Sequence, residues 1–226
     1  MHSVKLHKLT DFQIYVSFHK ERPIDLKRIN WNLYAHYEYI RLQIYEQSIL
    51  SPARKLLITL VDDKTHTKWH GHVTNALSIC EVTEAIDIND LKDISINRDK
   101  IYKIIMHSLT CIEKEIGWSS KGLYQIIKSI KSDYPYSYNL SKHNKKDKHS
   151  GMICSLWMIM QPNDYKIEFR QTNKTHQSES VPIIKQHHPI YLEDDFPIYK
   201  TKIMDNKFHV IDKHEQVMKS FKIRTF

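Results

Sequence analysis

Residues 99–131 read DKIYKIIMHSLTCIEKEIGWSSKGLYQIIKSIK, and this stretch decides the fold class. Ile101, Ile104, Ile105, Ser108, Leu109, Ile112 and Ile116 recur at the spacing of one helical face. At 100° per residue they fill an arc of roughly 140° on a rod of ~27 Å. Lys103, His107 and Lys114 lie on the opposite side. Asn97 or Asp99 suits the start, because a short polar side chain accepts a bond from an orphan N–H. Gly117 suits the stop, where a left-handed residue closes the last turn. Leu123, Ile126, Ile127 and Ile130 then stripe a second helix, opened by Ser119 or Ser120 and ended by Asp133-Tyr134-Pro135. Amphipathic helices of this kind pack on a sheet. The predicted class is therefore α+β: a mostly antiparallel sheet packed by a central helix pair at about 99–116 and 120–131.

The flanking sequence supplies the strands. Phe12, Ile14, Val16 and Phe18 alternate with polar residues, the pattern of a half-buried strand. Leu56–Val61 is a short apolar run of the kind found in central strands, and 67–73 returns as another strand. The apolar residues of 31–45 scatter around a helical wheel. As a strand they fall into two phases, so this segment reads as a strand with a bulge near Tyr39–Ile40, the alternative being an aromatic-rich helix. Residues 87–97 read as a polar connector. Residues 152–160 and 165–170, joined by Gln161-Pro162-Asn163-Asp164, are a hairpin, and 208–211 with 216–223 form another. Pro182, Pro189 and Pro197 interrupt the pieces between, which reads as edge or irregular strand.

With 226 residues, 41% hydrophobic and 11% aromatic, the chain has enough apolar material for a folded core. The reading is one α+β domain, 1–226, whose internal boundary, if present, falls in the basic run at 141–150. Only 4 glycines are present, which leaves little room for glycine-rich nucleotide loops. Cys80, Cys111 and Cys154 are widely spaced and odd in number, as expected of reduced thiols in a cytoplasmic protein. No leader and no membrane span is expected from the hydropathy.

Chemistry-bearing patterns are sparse. His66, His70 and His72 fall on one face of the predicted 67–73 strand, and side chains two apart lie ~6.6 Å from one another. His70 and His72 can share one metal ion, zinc being the type that prefers such nitrogen ligands, with His66 joining across a bend. Otherwise no cofactor is expected. No nucleophile elbow is present, no cysteine is paired by pattern with a histidine, and Asp62-Asp63 and Asp194-Asp195 sit where turns want short acids. The chain therefore leans away from being an enzyme. Its net charge of +8 suits an acidic partner or nucleic acid. Lys142, Lys145, Lys146 and Lys148, following Tyr134, Tyr136 and Tyr138, form a basic loop beside aromatics that can meet either, with Trp31 and Trp157 as further anchors. The expected function is non-catalytic binding of a protein partner with an acidic surface, as an immunity or antitoxin-type inhibitor. The alternatives are a nucleic-acid-associated host-defence protein or nuclease using the basic loop, and a metal-dependent hydrolase using His66, His70 and His72. No membrane partner is expected.

Overall fold

The computed structural model describes residues 6–17, 25–62, 69–74, 77–173, 180–190 and 196–224, with the backbone only of 69–74, 77–78, 88 and 131–132. The chain forms two compact units, 1–136 and 137–226. No helix among the described residues is long and apolar enough to cross a membrane.

In chain order the first unit comprises β1 (His7–Lys8), β2 (Asp11–Ser17), α1 (Leu26–Gln47), β3 (Leu50–Ser51), β4 (Lys55–Val61), β5 (Trp69–Thr74), β6 (Leu77–Ala85), α2 (Leu91–Ile96), α3 (Arg98–Ile116) and α4 (Lys121–Ser132). Its main sheet has the order β2-β4-β6-β5. Phe12, Leu56 and Cys80 align across three strands, as do Ile14, Ile58 and Val82. These residues are buried, and β2 packs on α1 while β6 packs on α3. The α+β class holds, and antiparallel pairing dominates the molecule, but β2, β4 and β6 run parallel. Their connections carry the chain back across the sheet, through α1 in the first case.

The central helices form where the apolar spacing places them. The Asn97 side chain accepts from the N–H groups of Asp99 and Lys100 at 3.1 and 3.2 Å. Gly117 ends α3 at φ 66°. Glu113 then bridges to α4. Its carboxylate accepts from the Ser120 N–H at 2.7 Å, the Ser120 hydroxyl at 2.8 Å and the Tyr124 hydroxyl at 2.6 Å. The 87–97 connector is itself partly helical, as α2.

The bulged-strand reading of 31–45 is corrected: this segment lies inside the 22-residue helix α1. Buried positions run from Ile29 through Leu33, Tyr34, Ala35, His36, Glu38 and Tyr39 to Ile44, around most of the helix. The sheet lies on one side and α2 and α4 on others. A helix enclosed this way needs no single apolar stripe, so the periodic signal vanishes. Part of what encloses it is polar. Asn32 donates to the Ser95 hydroxyl at 3.1 Å, His36 contacts the Tyr136 hydroxyl at 2.7 Å, and the Tyr39 hydroxyl donates to Asp133 at 2.6 Å.

The second unit contains β7 (Tyr136–Asn139, starting at the boundary), β8 (Lys145–Lys146), β9 (Ile153–Gln161), β10 (Asp164–Thr172), β11 (Val181–Gln186), β12 (Lys200–Met204), β13 (Lys207–Ile211) and β14 (Val217–Lys222). One sheet has the order β11-β10-β9-β7 with β8 also on β9, and the other is β12-β13-β14. Both expected hairpins form, β9–β10 and β13–β14, the latter extended by β12. Phe169 of β10 stacks on Phe208 at 5.0 Å and on Phe221 at 4.3 Å, which fixes the inner face of the three-stranded sheet.

Candidate functional site

Two arrangements carry more chemistry than their folding requires. The first is the outer face of β12–β14. Phe208 and Phe221 are opposite one another and point inward, so their strand neighbours point out. Lys202, His209 and Ser220 form one outward row, and Met204, Lys207 and Lys222 the next. The strands KTKIM, KFHVI and VMKSFK contain no carboxylate. Lys200 pairs with Glu215 of the adjoining turn at 2.5 Å. Lys207 and Lys222 are directly opposite, and neither makes an ion pair among the described residues. Like charges so placed destabilise a sheet. Met204 is 47% exposed on the same row.

The basic run at 142–148 is placed in the same unit but is not a plain surface loop. A 3-10 turn over Ser141–His143 leads into β8, which pairs with β9. The Thr201 hydroxyl donates to the His143 carbonyl at 2.8 Å, and β8 touches β12. Lys142, Lys146 and Lys148 remain exposed, while Lys145 is half-buried. His143 is buried, and burial followed by the charges of Lys142 and Lys145 pushes it down to about 4. Asp147 is buried too, accepting from the Ser150 N–H at 2.7 Å.

The three tyrosines do not act together. Tyr136 is fully buried against His36 and Tyr39, so it offers nothing to a partner; its polar tip is consumed inside the helix layer. Tyr134 is 37% exposed with the Arg98 guanidinium 4.5 Å over its ring, and Tyr138 is half-buried. Trp157 is half-buried, with its indole N–H donating to Ser155 at 3.0 Å. His66 lies outside the described residues. His70 and His72 are described only by backbone, where they oppose Glu81 and Ile79 of β6.

The second arrangement joins β6 to α3. Glu84 takes the helix-facing register position next to Leu60, and its side chain is only 10% exposed. Both of its oxygens accept from His107 Nδ1, at 2.8 and 3.0 Å, and one also accepts from the Ser108 hydroxyl at 2.9 Å. His107 Nε2 lies 3.9 Å from Cys111 Sγ. Ligand atoms of the three residues all fall within 4.8 Å of one another. Burial, then the Glu84 charge, pushes the Cys111 thiol up. The expectation that no cysteine is paired with a histidine is corrected here. The signal was present, since positions 107 and 111 are one helical turn apart. The third member comes from a strand 23 residues away from His107 and could not be read from spacing.

No family model matches the chain, and no curated protein and no solved structure matches it.

Proposed function

We propose that this is a non-catalytic, cytoplasmic partner-binding protein, of the immunity or antitoxin-inhibitor kind, and that the outer face of β12–β14 holds an acidic surface of the partner protein. The observation that carries this reading is the direct opposition of Lys207 and Lys222, neither of which makes an ion pair among the described residues. A charge pair that weakens the free sheet becomes favourable when a carboxylate-rich surface sits across it. Exposed Met204 beside it adds an adaptable apolar contact.

The test is co-expression with the products of flanking genes, followed by co-purification, using the wild type and a Lys207→Glu/Lys222→Glu double variant. The expected result is a complex with one flanking product that the double reversal abolishes. A complex formed equally by both proteins overturns the assignment of this face. Binding to DNA or RNA in preference to polyglutamate at about 50 mM salt overturns the protein-partner reading in favour of nucleic acid.

A further inference from the structure

We propose that Glu84, His107 and Cys111 form a binding site for a thiophilic divalent cation of the zinc class, with Cys111 Sγ and His107 Nε2 as ligands and Glu84 fixing the imidazole. The arrangement follows from the hydrogen bonds. Glu84 accepts from Nδ1, which leaves the Nε2 lone pair directed toward the sulfur. A tetrahedral ion with bonds of ~2.3 Å to sulfur and ~2.0 Å to nitrogen needs these atoms ~3.5 Å apart. The observed 3.9 Å is within a small side-chain adjustment of that value. Both ligands sit on one face of α3, a rigid element, and Ser108 anchors the carboxylate that orients them. His107 is 61% exposed, so the ion is reached from solvent and water completes its coordination. Binding replaces the S–H bond by a sulfur–metal bond, and the proton goes to solvent.

The same order of groups, carboxylate to Nδ1 and Nε2 to sulfur, is that of a cysteine nucleophile. One feature favours metal. Cys111 lies deep in the 19-residue helix, where backbone N–H groups are committed to helical carbonyls, so the helix offers no oxyanion donors.

The experiment is titration of the full chain with cobalt(II), read by the thiolate-to-cobalt charge-transfer absorption, with zinc(II) as displacing ion. The expected result is a charge-transfer band that zinc removes. It is lost in Cys111→Ser and weakened in affinity by about tenfold or more in His107→Gln, with Glu84→Gln costing about 10–100-fold. Histidine-only binding elsewhere gives no such band. Should the buried Glu84 variant fail to fold, the two helix variants, checked by circular dichroism, decide the matter. A band that persists in Cys111→Ser, no band with millimolar cobalt, or alkylation of Cys111 by iodoacetamide faster than free cysteine at about pH 6 overturns the proposal.

Discussion

Acidification should unlock the first unit through His36. The ring is fully buried, with Nε2 3.2 Å from the Ser95 carbonyl and Nδ1 2.7 Å from the Tyr136 hydroxyl. A carbonyl can only accept, so Nε2 carries the proton and Nδ1 accepts from Tyr136. Burial, only partly countered by the Ser95 bond and reinforced by the charge of Arg98, lowers the histidine from 6.5 to about 4. The unfolded chain therefore binds a proton that the folded chain refuses. The stability contributed by neutral His36 is complete above about pH 6.5, falls as pH drops, and is gone below about pH 4. The full swing is about 3 kcal/mol, and about 2 kcal/mol of it is lost between pH 7.5 and pH 5. Urea unfolding at these two pH values, for the wild type and His36→Gln, isolates the effect. The variant is less stable at pH 7.5, because Tyr136 and Ser95 lose a shaped partner, but its stability should depend on pH less by ~2 kcal/mol. His143 of the second unit titrates in the same direction in both proteins and cancels in the comparison. If wild type and variant lose stability in parallel, to within ~0.5 kcal/mol, His36 is not held neutral and the reasoning fails.

Three further outcomes follow from single contacts. Glu113→Ala leaves the buried Ser120 N–H and the Tyr124 hydroxyl without their acceptor, and should cost ~1–3 kcal/mol in thermal or urea unfolding. Gly117→Ala should cost about 1 kcal/mol by the same assay, through backbone strain at φ 66°, since nothing lies within 4 Å of the added methyl. Lys222→Glu should stabilise the second unit by ~0.2–1 kcal/mol by turning a repulsive cross-strand pair into an attractive one, the opposite of its expected effect on binding; a loss of stability would show that Lys207 and Lys222 do not repel.

Where local pattern and fold agree, the sequence determined the outcome. The α3–α4 pair, its Asn97 cap and Gly117 stop, and the β9–β10 hairpin all rest on contacts between near neighbours, whose spacing the chain displays directly. Helix α1 was hidden because it is enclosed on several sides, so its buried set includes Asn32, His36 and Glu38, and no stripe survives. Parallel pairing of β2, β4 and β6 was equally hidden, since a buried strand has the same residue alternation whichever way its neighbour runs. The same division holds for the sites. The lysines were visible as charge, but only the strand register places Lys207 against Lys222, and only packing against His36 and Tyr39 turns Tyr136 inward. His107 and Cys111 were one helical turn apart in plain view. Tertiary packing alone brings Glu84 to the imidazole, because a contact between a strand and a helix depends on where the sheet sets the strand and not on any spacing along the chain.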